Sequence, residues 1–214
     1  MIEYPKIETL YDRDERFKVT DVLRCPEFAL PKEWMVTEKI DGMNARIGVS
    51  VGGALELAGR TDKASLTPDQ LAILGEIGER AVEHFAETDV DVVLFGELYG
   101  PKIQSGGKYR SDIALRLFDV LVGPWWLEWD DVVDVAASVG VRTVPVIATH
   151  VPLEGALTAV RLPSMTAVED GGAKLPSGDH EGIVARTVPQ LFDRQGRRVQ
   201  WKLKGRDFGK DDPR

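Results

Sequence analysis

The sequence predicts an α+β fold built on antiparallel sheets, and three observations carry that reading. Eight short runs rich in Val, Ile, Leu and aromatic residues are spread along the chain, several of them bounded by Gly or Pro. Only three segments show helical spacing. Strands and helices do not alternate regularly, which argues against a parallel βαβ sheet.

The strand-like runs are residues 35–38, 45–51, 55–58, 90–98, 113–122, 141–149, 182–187 and 198–203. The first helix opens at Thr67-Pro68, a capping hydroxyl followed by a first-turn proline, and continues through Leu71, Leu74, Ile77, Gly78, Ala81 and Phe85. A second spans about 130–139 and ends at Gly140, a residue suited to a left-handed cap. A third spans about 153–161 and stops before Pro163. Residues 164–180 are polar and glycine-rich and read as a loop. With neither a repeat nor a low-complexity linker, residues 1–214 are expected to form one domain with helices flanking the sheets.

Composition narrows the class. A hydrophobic content of 43% and a charged content of 29% are those of a globular protein, and no apolar run approaches a membrane span. The residues after Met1 carry no signal-peptide pattern, and Cys25 is the single cysteine. An internal disulfide and a thiol-cluster zinc site are thereby excluded, and a reducing cytosol is the expected compartment. His84, His150 and His180 are too scattered to suggest a ligand set. The net charge of −8 argues against a general polyanion coat. The charge is uneven, though. Residues 194–210 hold seven cations (Arg194, Arg197, Arg198, Lys202, Lys204, Arg206, Lys210) against the single anion Asp207. A second basic cluster, Lys102, Lys108 and Arg110, lies among glycines. Both could contact phosphates on an otherwise acidic body.

Chemistry concentrates at Lys39, within Thr37-Glu38-Lys39-Ile40-Asp41-Gly42-Met43-Asn44. An amine becomes a nucleophile only when its pKa, near ~10.4 in water, is lowered by burial or nearby cations. Further segments follow in order: Gly59-Arg60, a cation after a glycine; Phe95-Gly96-Glu97, a carboxylate on a strand; Phe118-Asp119, an aromatic beside an acid; Glu181-Gly182; and Lys202-Leu203-Lys204, two lysines on one strand face. Taken singly each has a plain structural explanation. Together they supply an amine, carboxylates for a metal or ribose, an aromatic platform for a base, and cations for phosphate.

This ordered set resembles the covalent nucleotidyltransferase superfamily of ATP-dependent ligases and mRNA capping enzymes, and within it the RNA ligase 2-type family. Asn44 stands where DNA ligases usually carry arginine. The lead-in Glu33 to Lys39 and the segment Lys202-Leu203-Lys204-Gly205-Arg206-Asp207-Phe208 resemble that branch as well. The resemblance implies an adenylyltransferase domain of ATP-grasp-like ligase type. It also implies joining of RNA 5′-phosphate and 3′-hydroxyl ends through a lysyl-AMP intermediate, with ATP and Mg²⁺ or Mn²⁺. Lys39 would be the nucleophile, with Lys202 and Lys204 stabilising charge on the α-phosphate. Glu97 and Glu181 would take the ribose or the metal. Phe118 would stack on adenine and Arg60 would bind a phosphate. Asn44 and Asp119 would orient the nucleotide, and Glu38 would face the base.

Met43 departs from the threonine common after that glycine in RNA ligases. The chain runs ten residues past Lys204, so no C-terminal OB-fold is expected. The alternatives are a DNA ligase domain acting on DNA or hybrid duplex, a capping guanylyltransferase, and a module that binds nucleotide or RNA without turnover. Asn44 favours RNA, and an intact lysine with its carboxylates favours catalysis.

Overall fold

The computed structural model describes residues 1–172 and 181–207. In chain order the strands are β1 (Glu8–Thr9), β2 (Tyr11–Arg13), β3 (Val19–Leu23), β4 (Trp34–Lys39), β5 (Met43–Val49), β6 (Leu55–Ala58) and β7 (Val92–Tyr99). They continue as β8 (Ala114–Val122), β9 (Trp125–Trp126), β10 (Arg142–Thr143), β11 (Val146–Val151), β12 (Gly182–Arg186) and β13 (Gln200–Lys204). The helices are α1 (Pro68–His84), α2 (Trp129–Ser138), α3 (Leu153–Ala159) and α4 (Met165–Glu169). Among the described residues no helix is long and apolar enough to cross a membrane.

The chain forms two compact units, Met1–Pro5 with Asp41–Val144, and Lys6–Ile40 with Pro145–Arg214. We call them the insert unit and the frame unit. The insert unit holds a sheet ordered β10-β8-β7-β5-β6, with β9 on β8. Its neighbours are antiparallel except β10 with β8. Helix α1 packs on β5 and β6 through Leu74, Ile77 and Ala81, the buried positions of an amphipathic stripe. It starts where the sequence places it. The Thr67 hydroxyl accepts from the Gln70 amide while the Gln70 side chain accepts from the Thr67 amide.

The frame unit holds a sheet ordered β1-β13-β12-β4-β11 and the small pair β2-β3. One face buries Trp34 and Val36 of β4, Ile183 and Ala185 of β12, and Trp201 and Leu203 of β13, together with Ala156 and Ala159 of α3. This alternation is the period-2 signal of a half-buried sheet, and it leaves the other face for polar residues.

Two expectations are corrected. Residues 141–149 are not one strand. The break falls at Val144-Pro145, so β10 and β11 belong to different sheets; proline has no amide to continue a ladder. Residues 164–180 are not wholly loop, because α4 forms behind an Ser164 cap that accepts from the Ala167 amide. Residues 173–180, His180 included, and the segment from Phe208 onward with Lys210 lie outside the described residues. Strands β1, β2, β3 and β9 were not expected at all.

Candidate active site

On the polar face of the frame sheet, β12 lies between β4 and β13. Gly182 is opposite both Lys39 and Lys204, and Val184 is opposite both Thr37 and Lys202. Lys39 and Lys204 therefore share one rank across three strands, and Lys202 stands in the next. Glu181, one residue before β12, reaches both lysines of that rank. Lys39 Nζ donates to Glu181 Oε2 at 2.5 Å, and Lys204 Nζ lies 2.8 Å from Oε1. The carboxylate is only 17% exposed. Burial acts to raise its pKa, but the Lys39 charge and the bonds from Lys204 and Lys39 overcome this and hold it below the usual carboxylate range.

Gly182 makes this reach feasible. Its φ is +155°, and a side chain there would collide with the Leu203 carbonyl oxygen. Only glycine lets β12 begin so close to β13.

Glu38 lies on the opposite, core-facing side of β4 and is buried. Its Oε1 accepts from the Ser164 hydroxyl and its Oε2 from the Thr166 amide, so both oxygens are engaged in holding the start of α4.

The remaining predicted residues belong to the insert unit. Asn44 on β5 is directly opposite Glu97 on β7. The Asn44 Oδ1 is buried and has no hydrogen-bond partner among the described residues. Phe118 owes its position to a β-bulge. Phe95 pairs with Asp119 and Gly96 with Leu117, which leaves Phe118 as the extra residue on β8. Gly96 tolerates this because a Cβ there would press on the Leu115 side chain and the Arg116 carbonyl. Phe118 remains half-buried while Asp119 is fully buried. Arg60 is exposed at the end of β6.

Three residues escaped the sequence reading. The Tyr4 hydroxyl donates to Asp119 Oδ2 at 2.7 Å, and its ring meets Phe118 edge-on at 5.0 Å, bracing that side chain. Arg46 is fully buried. It donates to the carbonyls of Gly59, Met1 and Ile2 and to the Asp62 carboxylate, fixing the turn that carries Arg60. Tyr109, also buried, accepts from the Asp41 amide through its hydroxyl. A signal for Arg46 existed, since a cation inside the apolar run Ala45-Arg46-Ile47 needs buried acceptors. Tyr4 and Tyr109 had none, because their partners are distant in sequence.

The second basic cluster is largely spent. Arg110 makes a bidentate pair with Asp112, both bonds 2.8 Å, and Lys108 lies over the Tyr109 ring.

Chemically, the frame unit offers a primary amine beside a second ammonium, both steered by one ionised carboxylate. The insert unit offers an aromatic side chain, an exposed guanidinium, and a buried amide oxygen next to a carboxylate. That orphaned Asn44 oxygen fits a ligand bringing a donor, such as a ribose hydroxyl or a hydrated cation. Carboxylate oxygens suit Mg²⁺ or Mn²⁺. Glu181 would take a cation only by exchanging a lysine. Among the described residues no three acidic, His or Cys side chains converge into a ready metal cage.

The family model for RNA ligase matches residues 32–204, and the chain belongs to the RNA ligase family. No curated protein sequence matches it. Among solved structures, it is similar to Naegleria gruberi RNA ligase with PPi, at a TM-score of 0.66 and 16% identity, over 95% of this chain and 56% of that one. A lysine-to-alanine variant of that ligase with ATP and Mn gives 0.62 and 17% identity, over 94% and 57%. A lysine-to-methionine variant with AMP and Mn gives 0.61 and 17%, over 94% and 57%. At such identities the likeness is one of fold, and it agrees with the α+β architecture of mainly antiparallel sheets. The chain spans little more than half the length of the solved ligase.

Proposed function

We propose that this chain is the catalytic part of an ATP-dependent RNA ligase, with both units acting as one nucleotidyltransferase domain. The observation that carries the reading is the Lys39–Glu181–Lys204 cluster on one rank of the frame sheet, in a member of the RNA ligase family. The Naegleria structures with ATP, AMP and Mn support the choice of nucleotide and of divalent metal.

In this mechanism Lys39 gives its ammonium proton to solvent water and its Nζ lone pair attacks the α-phosphorus of ATP. The Nζ–P bond forms, the bond to pyrophosphate breaks, and lysyl-AMP remains. Glu181 orients the amine before attack. Lys204, and Lys202 on the same face, stabilise the charge gathering on the α-phosphate oxygens. Phe118, braced by Tyr4, stacks on adenine, while Asn44, Glu97 and Asp119 fix the ribose and its surroundings. Arg60 binds a phosphate. A bound Mg²⁺ or Mn²⁺, held chiefly by Glu97, would supply Lewis-acid neutralisation of phosphate charge. AMP then passes to an RNA 5′-phosphate, and a 3′-hydroxyl attacks that activated end, releasing AMP. Glu38 acts from behind β4 by anchoring α4, a different part from contact with the base.

Incubation with α-labelled ATP and Mg²⁺ tests the nucleophile. Wild-type protein is expected to carry label and Lys39→Ala none; a labelled Lys39→Ala protein overturns the assignment. Nicked duplexes of RNA, DNA and mixed strands test the substrate, with RNA ends expected to be sealed best. Preferential sealing of all-DNA nicks overturns the choice of RNA.

A further inference from the structure

The face of the frame sheet that carries Lys39 continues away from it. Along β13 the same-side residues run Lys204, Lys202, Gln200 and then Arg198, and on β12 Arg186 is opposite Gln200. Six residues of strand place Arg198 about 20 Å from Lys204. Beyond Arg186 the chain turns into a hairpin, where Arg198 bridges directly to Phe192. Directly paired residues project from the same side, so Phe192 and Arg198 stand together. Arg186, Gln190, Arg198 and Gln200 line a small concavity beneath them.

This hairpin is well defined. The Val199 amide donates to the Leu191 carbonyl, the Asp193 amide to the Arg197 carbonyl, and the Leu191 amide to the Thr187 hydroxyl. The Asp193 carboxylate accepts from the Gln195 and Arg197 amides and from the Arg197 guanidinium. Phe192 nevertheless stays 54% exposed. Arg194, at the tip, is exposed and makes no ion pair among the described residues. A large aromatic held open by a rigid turn, between arginines and above amide side chains, matches single-stranded nucleic acid. Such sites combine a stacking platform with cations tracking the backbone. On a chain of net charge −8 this local basic surface is complementary to a polyanion.

We infer that the hairpin of residues 187–199 is a docking site for unpaired RNA. A base stacks on Phe192 and the adjoining phosphates meet Arg198 and Arg194. The inference rests on the RNA ligase reading for its ligand, but not for its geometry.

The test measures binding of a short 5′-phosphorylated single-stranded RNA by fluorescence anisotropy, beside lysyl-AMP formation from labelled ATP, which needs no RNA. Phe192→Ala is expected to weaken RNA binding about tenfold, the scale of one lost stack, and Phe192→Trp to retain it. Arg194→Ala is expected to lower the slope of log affinity against log salt by about 0.7, one phosphate contact. Both are exposed positions, and all three variants should form adduct as wild type does. Wild-type affinity in Phe192→Ala overturns the proposal, and so does an equal loss for fully paired duplex. Adduct formation by a wild-type protein that binds no single-stranded RNA overturns the docking site and leaves adenylyl transfer standing. RNA binding that depends on Phe192 in a protein forming no adduct removes the ligase reading and retains the site.

Discussion

Glu181 is the residue on which the proposed chemistry turns, because a single carboxylate holds two ammonium groups of one reaction site. Removing its charge leaves Lys39 and Lys204 facing one another without a counter-ion, at a cost of about 1–3 kcal/mol for a mostly buried cluster. Its folded pKa lies below the unfolded carboxylate value of ~4.3, so the ionised form favours the native state. That stabilisation is complete above the unfolded pKa and fades as pH falls through the folded one. The melting temperature of wild type is therefore predicted to exceed that of Glu181→Gln by its full margin near neutrality. The gap should close as the pH falls through the lowered folded pKa of Glu181, below which both proteins carry a neutral side chain. A gap unchanged from neutral to acid pH would mean that the lysines draw nothing from the carboxylate. Arg46 and Tyr4 act on the same scale, each setting the position of a neighbouring site residue through buried bonds.

Among the elements, the start of β12 is the most constrained. Gly182→Ala puts a methyl group against the Leu203 carbonyl and must part β12 from β13, costing about 2–4 kcal/mol. Since Glu181 then loses its reach to both lysines, adduct formation should fall with stability. Thr67→Ala makes a useful contrast. It removes a helix cap worth about 1 kcal/mol and should leave adduct formation per folded molecule as it was. Equal losses of adduct in both variants would show stability alone to be at work. These elements also show what sequence could and could not reveal. Strands β4, β5, β7 and β8 and helices α1 and α2 were legible because period and caps are local signals. Two- and three-residue strands such as β1 and β10 have no period to detect; their pairing comes from tertiary contact. Phe118 and Asp119 were legible as a pair of residue types. The bulge between them was not, since it exists only relative to Gly96 on the neighbouring strand. The bonds from Glu38 to Ser164 and Thr166 were not legible, because sequence cannot tell which side of β4 looks toward α4.

At the scale of the molecule, the insert unit interrupts the frame unit, and the chain passes between them at 5/6, 40/41 and 144/145. Lys39 and Glu181 are thus 142 positions apart along the chain. Strand β4 finds its sheet neighbours, β11 and β12, only in the final third of the sequence. Pairings of such separation close late, because their loop entropy is lost before any contact repays it. The insert sheet joins β5, β6, β7 and β8 in a nearly sequential order and has no such delay. In refolding, amides of the insert sheet are predicted to gain protection before the protein can be labelled by a short pulse of ATP. Labelling that appears with the first protected amides would contradict this order. For a chain emerging from the ribosome the same topology acts as a timer. The amine that would carry AMP is made early, yet it meets Glu181 and Lys204 only once the chain has been synthesised through β13, so a nascent chain halted before that point would be unable to take up AMP.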